Sequence, residues 1–178
     1  IPPHGNYLCF ALRNWKGFES KAPLFGQAAK YAYETYGLTP VFAAVEKHLD
    51  PGAGRLAAAG LDIPHYFLDD AGSAGTIIGA LSRMQAVVSM RLHALIFAAG
   101  QGIPLAGVVY DPKVSSFLRY IGQENFADLD ALTPDQLKSM IDRVAAAPIS
   151  PEEQEAAVRK LRQTEQVNVE TARRLLGV

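Results

Sequence analysis

Residues Val88–Lys113 read VSMRLHALIFAAGQGIPLAGVVYDPK. The stretch Ala86–Met90 is an apolar run of strand type, Leu92–Ala99 has helical character, and Pro104–Val109 is a second apolar run. Two apolar strands joined by a helix form a crossover unit, which sets the strands parallel in one sheet. Arg91 and His93 stand two residues apart at the junction of the first strand with the helix. No acidic residue lies between Asp70 and Asp111. A cation in apolar surroundings is costly unless something pairs with it. With no carboxylate nearby in the sequence, the expected partner of Arg91 is the anion of a ligand.

The same alternation extends both ways along the chain. Tyr7–Leu12 (YLCFAL) is a continuous apolar run, the pattern of a strand covered on both faces. Lys21–Tyr36 reads as a helix ended by Gly37, Pro40–Val45 as a second strand, and Arg55–Ala59 as a short helix closed by Gly60. Pro64–Leu68 is a short strand, and Ser73 is placed to cap a helix running to about Arg83. Lys113–Tyr120 reads as a helix and Phe126–Leu129 as a last strand. Thr133-Pro134-Asp135-Gln136 and Ser150-Pro151-Glu152-Glu153 each combine a capping box with proline at the first helical position. The fold class is therefore α/β, a Rossmann-like doubly wound sheet in the order 3-2-1-4-5-6, with residues 1–178 forming a single domain. The last helix, over 151–178, carries a weak apolar stripe with two uses open to it: covering the domain's own sheet or packing on a second domain.

That strand order places the functional crevice. Ligands of such sheets bind at the carboxyl ends of the strands where the winding reverses. Arg13 ends the first strand, while Ser89, Arg91 and His93 follow the fourth. The extended backbone is expected to persist to about Arg91, with the helix starting just beyond and offering its free N–H groups to an anion. Arginine holds a phosphate or carboxylate by two parallel hydrogen bonds, and histidine moves protons near neutral pH. Arg91 and Arg13 are thus assigned to the anion, and His93 with Arg91 to catalysis. Plainer readings stand beside these: Arg13 as a solvated or ion-paired surface residue, His93 as a hydrogen-bonded core residue, and Ser89 as helix cap rather than ligand contact. Tyr110, Asp111 and Lys113 follow the fifth strand at the same edge and complete the substrate-binding set, although Asp111 also suits a helix cap and Lys113 a solvated first turn. Trp15 has two uses open to it, lining the cleft for a sugar ring or plain packing, Asp50-Pro51-Gly52 reads as a turn, and His4 and His65 as structural or exposed residues. Gly100, Gly102 and Gly107 are assigned to turns and close packing.

Composition narrows the classes. A chain of 178 residues, 49% hydrophobic and 20% charged, is an ordinary globular domain. A net charge of −1 gives no pull toward nucleic acid. No apolar run is long enough for a transmembrane segment, and Ile1-Pro2-Pro3-His4 does not start a signal peptide. The missing initiator methionine suggests a fragment or processed product. The one cysteine, Cys9, lies in an apolar run and reads as a buried reduced thiol, which fits a cytoplasmic protein. No metal-ligand spacing, G-x-G-x-x-G or Walker pattern occurs, so no metal and no nucleotide cofactor is expected.

The pieces SMRLHALIFAA (89–99), GIP (102–104) and YDPKV (110–114), followed by Phe117 and Gly122, resemble the signature region of the polysaccharide pyruvyl transferase family. The resemblance implies the C-terminal half of a two-domain enzyme of GT-B type, with a missing N-terminal domain completing the cleft. It implies phosphoenolpyruvate as donor, a sugar diol of a cell-surface polysaccharide precursor as acceptor, and a cyclic pyruvate ketal and phosphate as products. Lys113 matches the family's lysine, and Asp50 falls where the family often has an acid. The chain alone is then expected to be nearly inactive, and the protein to work in the cytoplasm or at the inner face of the membrane. Two other readings remain: a nucleotide-sugar glycosyltransferase of the same build, and a non-catalytic anion-binding domain that kept the crevice.

Overall fold

The computed structural model describes residues 1–2, 5–70, 72–146 and 150–177; His4 and Val178 lie outside them. Six parallel strands form one sheet: β1 (Tyr7–Ala11), β2 (Thr39–Ala43), β3 (Tyr66–Leu68), β4 (Ala86–Ser89), β5 (Leu105–Val109) and β6 (Phe126–Asp128). Their order is β3-β2-β1-β4-β5-β6, the doubly wound order expected from the sequence. Strand β1 pairs with β2 on one side and β4 on the other, setting Phe10 beside Val88 and Ala11 beside Ser89.

The apolar run of β1 supplies both cores because side chains alternate across a strand. Leu8, Phe10 and Leu12 pack into one layer with α1 (Phe18–Tyr36), α2 (Pro51–Ala57) and α6 (Pro134–Ala145). Tyr7, Cys9 and Ala11 pack into the other with α3 (Ala74–Leu81), α4 (Leu92–Gly100) and α5 (Pro112–Tyr120). Burial pushes the Cys9 thiol up to about 12, so it stays protonated and inert. The long α7 (Pro151–Leu176) rests on α4, and Gln154 donates to the Gln101 carbonyl at 2.6 Å. No α7 side chain is buried, and Leu175 and Leu176 stand 79% and 75% exposed.

Both capping boxes form, at Thr133 and Ser150, and the Ser73 hydroxyl accepts from the Thr76 N–H. Two helix starts lie earlier than expected. Helix α1 begins at Phe18, whose N–H bonds the Trp15 carbonyl at 2.8 Å, so a backbone turn opens it and no side-chain cap announces it. Helix α2 begins at Pro51 rather than near Arg55, and Asp50, though in the cap position, turns its carboxylate elsewhere. Gly102 holds a positive φ of 66°, and Gly107 lies under Leu118, as expected of turn and packing glycines.

At Gly26 in α1, any Cβ would run into the Ala57 carbonyl oxygen on α2, a backbone atom that cannot swing aside. Gly26→Ala should therefore destabilise the fold by about 1–3 kcal/mol. Gly79→Ala, on an exposed turn of α3 with open space around it, should stabilise by about 0.5–1 kcal/mol. Urea unfolding of the two variants checks both signs.

Candidate active site

The carboxyl ends of β1 and β4 lie side by side, but the chain leaves them toward opposite faces. From β1 it turns into α1, and from β4 into α4, so the two exits open a crevice between them. Arg91 is the last extended residue, with φ −86° and ψ 117°, and α4 starts at Leu92. Ser89 holds this junction. Its Oγ accepts the Arg91 N–H at 2.8 Å and lies 3.1 Å from the Ala11 carbonyl, while the Met90 N–H donates to the same carbonyl at 3.0 Å. Ser89 is fully buried with its hydroxyl engaged internally, and it ties β4 to β1 rather than capping α4.

Arg91 does have an internal carboxylate. Its Nε lies 3.2 Å from Oδ2 of Asp50, with the side chains 12% and 1% exposed. This corrects the expectation that only a ligand would pair with Arg91. The acid comes from the loop after β2, far along the chain but adjacent across β1. The same Oδ2 accepts the N–H groups of Val45 at 3.1 Å and Glu46 at 2.7 Å. Asp50 Oδ1 is buried without a partner. Burial pushes the Asp50 carboxyl above its ordinary value, against the opposing pull of the Glu46 amide, the Arg91 charge, the Val45 amide and the Arg13 charge. Among the described residues, the Arg91 side chain makes no other ion pair or hydrogen bond, which leaves its terminal nitrogens open.

Arg13 stands at the end of β1 and donates from Nη1 to the Tyr110 hydroxyl at 3.0 Å, bridging to the end of β5. Its guanidinium lies 5.2 Å from the Trp15 ring centre and 5.5 Å from that of Tyr110. These are distances at which a cation is held by aromatic faces. Trp15 is 42% exposed and its ring centre is 4.9 Å from that of Tyr110, so it lines the rim rather than packing inside. Asp111 caps α5 by accepting the Lys113 N–H at 3.0 Å, and Lys113 Nζ lies 3.5 Å from its carboxylate. The Lys113 amide foremost, and the Lys113 and Arg13 charges besides, hold the Asp111 carboxyl below its ordinary value.

His93 sits in the first turn of α4 and is exposed, so it is no core histidine. It lines an open cavity of about 320 Å³ with Glu46, Lys47, Asp70, Ser73 and Phe97. The helix begins before His93, so His93 leaves the strand's facing pattern and is not on one line with Ser89. His65, by contrast, is structural: Nδ1 lies 2.8 Å from the Ile63 carbonyl and the ring packs edge-on against Phe42 and Phe67. Arg13 and Tyr110 are in direct contact, Arg91 and Arg13 both act on Asp50, and Asp111 and Lys113 lie at the β5 side; His93 instead lines the neighbouring cavity, whose wall includes none of Arg13, Arg91 and Tyr110. Asp50, offered by the sequence as a turn residue and as the match to a family acid, becomes the partner of Arg91 only in the fold. Its cue was an acid in a cap position just after a strand, at the same sheet edge.

Asp50→Asn keeps the shape and removes the charge. The folded carboxyl titrates above the value of 3.8 expected when unfolded. Its contribution to stability is therefore fully present below that unfolded value and is lost as pH rises through the folded one. The stability difference between wild type and Asp50→Asn should shift in favour of wild type as pH is lowered from about 7 toward about 4. Urea unfolding at a series of pH values measures it; movement in the other direction would mean that Arg91 and the two amides outweigh burial.

Residues 2–112 match the family model described as Polysaccharide pyruvyl transferase. A search of curated proteins finds no match. Among solved structures, the glycotransferase of kitacinnamycin is similar with a TM-score of 0.62 at 15% identity, over 92% of this chain and 41% of that one. An O-GlcNAc transferase mutant from Thermobaculum terrenum gives 0.55 at 16% identity, over 93% of this chain and 33% of that one. The E. coli trehalose-6-phosphate structure bound with UDP-2-fluoro glucose gives 0.56 at 9% identity, over 93% and 40%. These likenesses are of fold: a Rossmann-like domain of the kind found in GT-B glycosyltransferases, spanning 33–41% of those chains' lengths. With well over half of its length matched by the family model, the chain belongs to the polysaccharide pyruvyl transferase family.

Proposed function

We propose that this domain binds the donor of a pyruvyl transfer, phosphoenolpyruvate, and serves its transfer to a sugar diol of a polysaccharide precursor. The observation that carries the reading is Arg91, with its terminal nitrogens unpartnered, at the start of a helix that has no side-chain cap. The backbone N–H groups at that helix start and the guanidinium together suit a phosphate or carboxylate. Arg13 adds a second cation, and Lys113 a third farther out that steers the anion. Tyr110 orients Arg13, and Trp15 offers an aromatic surface to a sugar ring.

The chemistry needs proton transfer at two points. One sugar hydroxyl adds to the substituted carbon of the enol while its own proton passes to the donor's phosphate, and the methylene carbon takes up a proton to become a methyl group. The second hydroxyl then displaces phosphate from the same carbon, closing the ketal and giving up its own proton. His93, exposed in the first turn of α4, is the group assigned to deliver the first proton and accept the second. Arg91 also stabilises the leaving phosphate. Asp111 serves this site by capping α5 and holding Lys113. The reading includes a second domain across the crevice, since the similar solved chains are longer, and directs the exposed C-terminal half of α7 toward it. It also places the work in the cytoplasm, at or near the membrane where the precursor is held.

Calorimetric titration separates this donor from a nucleotide sugar. Phosphoenolpyruvate should bind, Arg91→Ala should abolish the binding, and UDP-sugars should bind weakly or not at all. The reverse preference would move the protein to the glycosyltransferases. In the full-length enzyme His93→Ala should lower turnover by roughly 10²–10⁴-fold with phosphoenolpyruvate affinity little changed; near-normal turnover would remove His93 from the reaction.

A further inference from the structure

The guanidinium of Arg91 has two usable edges. Its Nε lies 3.2 Å from Oδ2 of Asp50 as an ion pair without a hydrogen bond, and the terminal nitrogens have no hydrogen-bond partner among the described residues. Asp50 is itself aimed by its surroundings. The Val45 and Glu46 amides, at 3.1 and 2.7 Å, hold Oδ2 in place. Phe10, Phe42, Pro51 and Phe67 wall the space beside the carboxylate, which is too tight for a water molecule. We propose that Asp50 is a positioning residue for the donor site: it fixes the Nε edge of Arg91 so that the terminal nitrogens are presented to the incoming anion. The proposal rests on the reading of the crevice as an anion site.

Three observations carry it. The pair joins the loop after β2 to the end of β4 across β1, and so sets Arg91 relative to Arg13 at the end of β1. The contact is one-sided, with Oδ1 left buried and unpartnered, an arrangement that is poor for stability but leaves the other guanidinium edge open. Lastly, burial works against the Asp50 charge, so fold stability alone does not explain a carboxylate here. A guanidinium held in advance loses less freedom when the anion arrives and keeps its alignment through the reaction.

The test uses the full-length enzyme with Asp50→Asn, Arg91→Lys, and both together. Asp50→Asn should lower kcat about tenfold or more, while KM for phosphoenolpyruvate does not rise, because a repelling carboxylate has gone. In the Arg91→Lys background, which lacks the Nε edge, Asp50→Asn should have little further effect. An equal loss in both backgrounds would assign Asp50 to the fold alone and overturn the proposal. A second measurement needs no variant to fold. In wild-type protein, inorganic phosphate should shift the Arg91 terminal-nitrogen signals and leave Nε, on the Asp50 side, little changed. Phosphate that leaves Arg91 untouched, or that shifts Nε as much as the terminal nitrogens, overturns it. If phosphate behaves as expected but phosphoenolpyruvate is not turned over, the donor assignment falls and the role of Asp50 stands.

Discussion

Burial of β1 on both faces is the constraint on which the rest depends. A strand with helices above and below has no polar face to expose, so its six-residue apolar run must lie at the centre of the sheet. Once β1 is central, right-handed crossovers carry the first half of the chain to one side and the second half to the other. The reversal falls between β1 and β4, and the helices that follow them diverge. The crevice is therefore a consequence of winding, and any residue just beyond either strand is delivered to it.

The most buried ion pair among the described residues is Arg91–Asp50. Buried ion pairs are weak sources of stability, because desolvation offsets much of the attraction. Here the carboxylate accepts two amides and pairs with the Arg91 Nε at 3.2 Å, and it is still pushed toward its neutral form by burial. The pair makes more sense as geometry than as glue: it ties loops on either side of β1 and gives Arg91 a fixed direction. Arg13 is fixed differently, by the rings of Trp15 and Tyr110 and by the Tyr110 hydroxyl. Two cations at one rim are thus held by unlike means, one by a buried acid and one by aromatic faces, which keeps them apart while both remain available. Ser89 supports both by locking β4 to β1 just below them.

What could be read locally was read from the chain. Strands came from unbroken apolar runs, and the caps at Ser73, Thr133 and Ser150 came from side chains that bond amides three residues on. The start of α1 was hidden because a backbone turn at Trp15–Gly17 opens it without any cap residue. The start of α2 was hidden because Asp50, in the cap position, spends its carboxylate on Val45, Glu46 and Arg91. Trp15 had two uses open in the sequence, and only its position after the end of β1 leaves it exposed.

The amino-acid sequence by itself determined the alternation of strands and helices, the winding order, and hence the placing of Arg13, Arg91 and His93 at the carboxyl edge of neighbouring strands. Hydrophobic period and chain chirality are properties of short segments, and they suffice for this. The tertiary structure alone decided what each of these side chains touches. Asp50 reaches Arg91 across a strand, Tyr110 reaches Arg13 across two strand ends, and Ser89 turns inward. Such pairings join residues that only the folded sheet brings together, and no local spacing encodes them.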